Sequence, residues 1–198
     1  MTTMTATFPM ERMRRFSVVQ YHRMIASGAL TEDDPVELLE GLLVAKMPRD
    51  PAHDGSVLAT QNRLLRLLPA EWVLRIQSAV TTRDSEPEPD LAVVSGPETK
   101  YFRDHPGRAD VELIVEVSNT TLADDQSAKS RIYARERFPV YWIVNLIERR
   151  VEVRTDPRGG KSAHYQQVVV YGEDEAVPVV LGGREVGRIA VNEILPPE

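Results

Sequence analysis

The apolar run VELIVEVS, residues 111–118, is the strongest strand signal in the chain and constrains its fold more than any other segment. Its valines and isoleucine favour a strand buried in a sheet. The short apolar run DLAVV precedes it, while the helical stretch DDQSAKSRIYARER and a second buried run, VYWIVNLI, follow it. This order of strand, strand, helix and strand predicts a mixed β-sheet flanked by helices, in the α/β or α+β class.

Segments on either side add to this core. Ser17 is a candidate N-cap for a helix over VVQYHRMIAS, and PVELLEGLLVAKMP predicts two short strands joined by a turn at Gly41. The pattern predicts a helix over SVLATQNRLLRLL, after His53 and Asp54, and a strand over WVLRIQSAVTTR. The C-terminal runs HYQQVVVY, AVPVVL and REVGRIAV predict a β-rich extension of the same sheet.

The chain of 198 residues suits one domain with a sizeable core, and no linker divides it. We therefore predict a flexible N-terminus over residues 1–16 and a single domain over residues 17–198. The sequence contains no cysteine, which excludes disulfides, a zinc-thiolate site and a cysteine nucleophile.

The absence of cysteine also fits a reducing compartment, and neither a membrane-length apolar segment nor a signal peptide is found, so we expect a cytoplasmic protein without a membrane partner. A net charge of -6 counts against a broad basic surface that coats nucleic acid. The same charge is compatible with an enzyme that contacts DNA locally, because carboxylates that hold metal make the total more negative.

Two acidic residues lie in otherwise apolar strands. Asp90 opens the run LAVV after a proline, and Glu116 lies inside LIVEVS. Ionised carboxylates in such positions are costly unless they are paired, and two on neighbouring strands repel each other. A divalent cation removes both costs, and Mg²⁺ is commonly held by one or two carboxylates together with a substrate phosphate. The alternative is structural: Asp90 ends a strand, and Glu116 faces solvent as we expect Glu112 to do.

Lys129 lies on the predicted helix that follows Glu116, one turn after Asp125. If this helix packs back across Glu116, the amine can position an attacking water or stabilise charge on a phosphate. The alternative is a surface ion pair between Asp125 and Lys129, which are four residues apart.

The blocks EPEPDLAVV and DVELIVEVSNTTLADDQSAKSRIYARERFPVYWIVN, preceded by VELLEGLLV, resemble the Uma2 family of PD-(D/E)xK-like endonucleases over roughly residues 17–155. The resemblance implies a restriction-endonuclease-like core that uses Mg²⁺ or Mn²⁺ to cleave DNA. Asp90 matches the Asp of the PD motif, and Glu116 matches the acid of the (D/E)xK motif. Ser118 stands where the motif's lysine is expected, and Lys129 matches a lysine displaced onto the next helix. Asp90, Glu116 and Lys129 are therefore the implied catalytic residues, with the first two as metal ligands.

Four further residues match family positions: Glu37, His53, Asp125 and Tyr133. The first three are possible accessory site residues; His53 could contact phosphate, orient a carboxylate or cap a helix. Two departures concern the surroundings of the site, because Asn145 replaces an Asp and Leu42 replaces a commonly acidic residue.

The expected function is metal-dependent hydrolysis of DNA phosphodiester bonds, by a homodimer if the chain follows other nucleases of this fold. Two alternatives stay open. One is a catalytically inactive module that binds DNA or a protein partner, and the other is a metal-dependent hydrolase of small phosphate esters.

Overall fold

The computed structural model describes residues 12–197. The four α-helices of this part of the chain are α1 (Val18–Ala26), α2 (Pro51–Leu67), α3 (Leu122–Asp124) and α4 (Ser130–Glu136), and a π-helical turn, Asp125–Lys129, joins the last two. Its strands are β1 (Val36–Leu39), β2 (Leu42–Ala45), β3 (Trp72–Ile76), β4 (Leu91–Ser95), β5 (Val111–Ser118), β6 (Val140–Asn145), β7 (Arg150–Arg158), β8 (His164–Gly172), β9 (Ala176–Leu181) and β10 (Arg184–Ala190). Short 3₁₀ turns lie at Glu98–Tyr101 and Val191–Glu193.

The main sheet has six strands in the order β3-β4-β5-β6-β7-β8. Strands β5 and β6 pair in parallel, and every other neighbouring pair in this sheet is antiparallel. A parallel pair requires a crossover, and the helical segment from α3 to α4 supplies it. The predicted mixed sheet with flanking helices is confirmed.

Hydrophobic side chains cover both faces of this sheet. Successive strand residues point to opposite faces, so Trp142 packs in one core cluster and Tyr141 in the other. The Trp142 cluster lies against α2 and the β9–β10 hairpin, and the Tyr141 cluster lies against α4. Both aromatic side chains are fully buried, as the sequence predicts.

The N-terminal helix and hairpin form as predicted. Ser17 and Gln20 make a reciprocal capping box at the start of α1. Gly41 turns β1 into β2 with φ +81°, and a Cβ there would lie 2.8 Å from the Cβ of Arg15. Only glycine meets both demands, so this turn brings the hairpin against the chain before α1, where Phe16 N–H donates to the Gly41 carbonyl at 2.7 Å.

Two predicted boundaries are wrong. Helix α2 starts at Pro51, so His53 lies within its first turn and does not precede it. The reason is local: proline is favoured at the first helical position, and Asp50 caps the helix by accepting the His53 N–H at 2.8 Å. Strand β3 ends at Ile76, since Gln77 adopts φ +45° and turns the chain out of the sheet.

The C-terminal extension follows the prediction only in part. Strands β7 and β8 extend the main sheet, whereas β9 and β10 form a separate two-stranded sheet. Alternate residues of β9 are buried in the same core cluster as α2, so this hairpin covers a face of the main sheet. Of the predicted flexible segment, residues 1–11 lie outside the described residues, and the single domain over residues 17–198 stays a prediction. None of the described helices is both long and apolar enough to cross a membrane.

Candidate active site

Asp90 and Glu116 are neighbours at one end of the main sheet. Leu91 pairs with Val115, so the same antiparallel register places Asp90 opposite Glu116. Asp90 Oδ2 accepts the backbone N–H of Val117 at 2.9 Å. Both carboxylates are buried. Two acids that are far apart in sequence are therefore held side by side in a largely apolar sheet.

The π-helical turn brings Lys129 to Glu116. Ser130 N–H donates to the carbonyl of Asp125, five residues earlier, which widens one turn of an otherwise α-helical segment. Lys129 Nζ lies 3.0 Å from Glu116 Oε1, and the Tyr133 hydroxyl donates to the same oxygen at 2.7 Å. The helical segment therefore packs back across Glu116, as the hypothesis of a working lysine requires, and Lys129 is only 13% exposed. The alternative is wrong about location only: Asp125 and Lys129 do form an i,i+4 ion pair, but it is largely buried and not on the surface.

Three carboxylates surround the Lys129 ammonium. Its Nζ lies 3.7 Å from Asp125 Oδ1 and 3.8 Å from Glu37 Oε1, in addition to the contact with Glu116. Burial acts to lower the pKa of Lys129, but the neighbouring carboxylates outweigh it and raise the pKa above its usual value. The lysine therefore stays positively charged inside the protein.

For Glu116, in contrast, burial outweighs the neighbouring cation and favours the neutral carboxyl. Burial is the main cause that raises the pKa of its carboxyl to about 8; the nearby charges of Asp125 and Asp90 act in the same direction, and Lys129 acts against them. One ammonium is thus too little positive charge for this group of acids. A second cation would stabilise the ionised form of Glu116.

Asp125 is fixed by hydroxyl groups. Ser118 and Thr121 donate to its Oδ2 at 2.7 and 2.8 Å. Its Oδ1 is buried and accepts no hydrogen bond, although the Lys129 ammonium lies nearby. Ser118, which stands in the place of the motif's lysine, therefore orients an acid next to the displaced lysine.

His53 faces Asp90 from the first turn of α2. Its Nε2 lies 3.2 Å from Asp90 Oδ2, and this hydrogen bond raises the pKa of His53 above its usual value. The Asn119 side chain donates to Asp50 Oδ2 at 2.7 Å, which ties the start of α2 to the end of β5. Asp50 is the helix cap, so the interpretation of His53 as a cap is wrong. Sequence reasoning missed Asp50 and Asn119, although an Asp directly before Pro51 is a recognisable helix start.

Glu37 enters the site from β1. Its Oε2 accepts the Glu88 N–H at 3.0 Å, and a β-bridge between Leu38 and Glu86 fixes β1 against the segment before β4. All six candidate residues line one cavity of about 290 Å³: Glu37, His53, Asp90, Glu116, Asp125 and Lys129. The structure thus brings together every site residue that the sequence singles out.

The mouth of this cavity is partly apolar, with Leu42, Val44 and Met47 in its wall. Its cations are mostly paired with acids: Lys46 contacts Glu88 at 2.6 Å, and Arg131 forms two hydrogen bonds with Glu40, at 2.9 and 2.8 Å. Apart from the exposed Arg49, the mouth therefore offers little free positive charge, in keeping with the acidic composition.

Leu42 and Asn145, the two residues that depart from the family pattern, lie in different parts of the structure. Leu42 lies in the cavity wall, whereas the Asn145 side chain bonds both the side chain and the backbone N–H of Glu148. Asn145 therefore fixes the turn between β6 and β7, and it is not among the residues that line the cavity.

The donor set fits a divalent cation with few protein ligands. Within residues 12–197, no three His, Asp or Glu side chains converge closely enough to hold a metal ion by themselves. Two facing carboxylates, a buried carboxylate oxygen without a hydrogen bond and a shortage of positive charge are nevertheless present. This combination suits Mg²⁺ or Mn²⁺, which complete their coordination with water and substrate phosphate.

A six-stranded mixed sheet with flanking helices, bordered by a buried acidic cavity, defines an α+β protein. A crystal structure from Anabaena variabilis, described as a putative nuclease belonging to DUF820, has the same fold with a TM-score of 0.61. It is 14% identical in sequence, and the match covers 85% of this chain and 94% of that chain. At such identity the likeness shows the fold alone.

The chain belongs to the Uma2 family, described as "Putative restriction endonuclease", whose sequence model matches residues 18–192. No curated protein matches the chain. The resemblance noted from the sequence is confirmed, and the family's description indicates a nuclease.

Proposed function

We propose that this protein is a Mg²⁺- or Mn²⁺-dependent endonuclease that hydrolyses phosphodiester bonds in DNA. One observation carries the proposal: Lys129 and Tyr133 converge on Glu116, directly opposite Asp90, in a single cavity. DNA and a second copy of the chain are the proposed partners. The cytoplasm is the proposed compartment, which the cysteine-free sequence favours.

Asp90 and Glu116, with the backbone carbonyl of Val117, would hold the divalent cation. The raised pKa of Glu116 and the unbonded Oδ1 of Asp125 support a cation at this place. When bound, such an ion lowers the pKa of a coordinated water and stabilises negative charge that develops on the phosphate.

The remaining side chains of the site would orient the metal ligands and the reacting groups and balance their charges. The Lys129 ammonium is the donor that would position the attacking water or a phosphate oxygen, and Asp125 and Glu37 keep it charged. Tyr133 fixes Glu116 by its hydrogen bond, and His53 fixes Asp90 from α2. Precise placement of this kind is what phosphoryl chemistry requires of a protein.

The test combines plasmid nicking with calorimetric titration of Mn²⁺. We expect Asp90→Ala and Glu116→Ala to abolish nicking and to weaken Mn²⁺ binding, while far-UV circular dichroism stays unchanged. Glu32→Ala is the matched control, because this acid is exposed and outside the cavity. Nicking that survives both site variants would refute the proposal.

One observation favours the catalytically inactive module. Lys129 already supplies a positive charge to the carboxylates, so the fold can tolerate the acids without a metal. In that case the wild type would bind no Mn²⁺ in the titration and would nick no plasmid.

Another observation favours a hydrolase of small phosphate esters. The cations at the mouth are mostly paired with acids, which suits a small ligand better than a long polyanion. Mn²⁺ binding without nicking, together with turnover of nucleotide monoesters in a substrate panel, would support this alternative.

A further inference from the structure

Strand β8 ends the main sheet with an unusually apolar edge. It spans nine residues, and no other strand within residues 12–197 pairs with its outer side. Its sequence, HYQQVVVYG, contains no Asp, Glu, Lys, Arg or Pro, although 27% of the whole chain is charged. Soluble proteins usually protect a long edge strand with such residues, because free backbone groups there can pair with another chain.

Three consecutive valines at the middle of this edge are exposed. The exposed fractions of Val168, Val169 and Val170 are 50%, 46% and 44%. Because neighbouring strand residues point to opposite faces, the apolar surface extends over both sides of the edge. A partner that adds one strand would cover the free backbone groups and part of both apolar faces together.

Charges of opposite sign lie at the two ends of β8. Lys161 comes before the strand, and Asp174 and Glu175 come soon after it. Arg158 and Glu173 also flank the strand, but they are already paired with Asp156 and Arg149 of the same copy. Two copies of this strand in parallel would place like charges together. Two copies in antiparallel orientation would place the basic end of one against the acidic end of the other.

We propose that β8 pairs antiparallel with β8 of a second copy of this chain, around a two-fold axis near Val168. The two six-stranded sheets would then form one continuous sheet, with Lys161 of each copy facing Glu175 of the other. A two-fold contact of this kind uses the same patch twice and closes after two subunits. The proposal names the contact surface of the proposed homodimer and is independent of DNA cleavage, because no residue of β8 lines the candidate active site.

The charge pattern favours a second copy over an unrelated peptide as the occupant. The strand is uncharged where it would meet itself, and its flanks complement each other only in the two-fold arrangement. The remaining edge of the main sheet, β3, is five residues long and carries an arginine, so it lacks both features.

Sedimentation equilibrium of the full chain tests the proposal with Val168→Glu. In the monomer the new carboxylate would lie across from Arg154 on β7, which is a favourable cross-strand pair, so the fold should be kept. In the dimer two such carboxylates would face each other at the axis. We expect the wild type to be a dimer and this variant to dissociate at least about tenfold more readily.

Val19→Glu is the matched control, because Val19 is 59% exposed on α1, away from the main sheet. It should dimerise as the wild type does. The antiparallel orientation is tested by Lys161→Glu, which should weaken the dimer, and by Lys161→Glu combined with Glu175→Lys, which should restore it. A monomeric wild type, an open-ended wild-type polymer or a Val168→Glu variant that dimerises normally would overturn the proposal, whether or not the protein nicks DNA.

Discussion

Two buried glutamates of the main sheet, Glu116 and Glu152, have pKa values that are shifted in opposite directions. Glu116 on β5 and Glu152 on β7 lie on either side of the same residue, Ile143 of the intervening strand β6. Both glutamates are 3% exposed. Burial acts to raise the pKa of each. For Glu152, hydrogen bonds from Arg154 and Arg150 outweigh burial and lower the pKa, whereas the pKa of Glu116 rises to about 8.

The difference lies in the neighbours. Arg154 and Arg150 lie 2.7 and 3.2 Å from the carboxylate of Glu152, and Gln126 donates to it at 2.7 Å. Glu116 shares a single lysine with other acids and borders a cavity. A buried acid matched by arginines is already neutralised within the fold, while a buried acid crowded by other acids favours the entry of a cation.

The largest expected effect contrasts these two residues in DNA cleavage. Glu116→Gln should reduce plasmid nicking by on the order of a thousandfold, because it removes a candidate metal ligand. Glu152→Gln is the paired variant and should nick as the wild type does at a temperature where it stays folded. Equal loss of nicking in both variants would contradict the distinction between the two sites.

Lys129→Met should have the next largest effect and should separate cation binding from catalysis. Loss of the ammonium should slow nicking by about a hundredfold. The same change leaves three carboxylates without their internal cation, so Mn²⁺ should bind about tenfold more tightly in calorimetric titration. Lys100→Met, outside the cavity, is the control. Weaker Mn²⁺ binding by Lys129→Met would mean that the lysine does not compete with a metal.

Stability should show the reverse order of effects. Glu152→Gln leaves two arginines without their carboxylate, and we expect the free energy of unfolding in urea to fall by about 2 kcal/mol. Glu116→Gln should change it by less than about 1 kcal/mol, because the amide oxygen can accept the same two hydrogen bonds without a buried charge. A larger loss for Glu116→Gln would show that the candidate active site also supports the fold.

The smallest expected effect is on the free energy of unfolding at acidic pH. The pKa of Glu152 is lower in the folded state than its usual value of 4.5, so its stabilising contribution is present above that value and is lost as the pH falls through the folded pKa. The stability difference between the wild type and Glu152→Gln should therefore be constant near neutrality and shrink below about pH 4.5. A stability difference that stays constant as the pH falls below about 4.5 would show that the arginines do not lower the pKa of Glu152.

Local patterns in the sequence predict much of this molecule. The apolar runs of β4, β5 and β6 are clear, and the acids within them identify Asp90 and Glu116 as candidate site residues. Alternation alone could not decide which way Glu116 faces, because strand parity gives only relative directions. The register with Asp90 and the contact with Lys129 depend on tertiary packing.

Other features have no local signal. The segment DDQSAKS contains neither Gly nor Pro, so nothing in it marks the π-helical turn at Asp125–Lys129. From the sequence alone, Glu152 resembles any polar residue of a strand with alternating exposure. Only the assembled sheet shows that it is buried next to Arg150 and Arg154. The β9–β10 hairpin has strand-like sequences, but its departure from the main sheet is decided by which apolar face it covers.

The π-helical turn also determines how this part of the chain can change in length. Such a turn holds one residue more than an α-helical turn, and each residue of an α-helix rotates the chain by about 100°. Loss of a single residue between Asp125 and Lys129 would restore an ordinary helix but turn Asp125 away from the direction in which Lys129 and Tyr133 point. Insertions and deletions in this segment are therefore far more restricted than substitutions of its exposed residues.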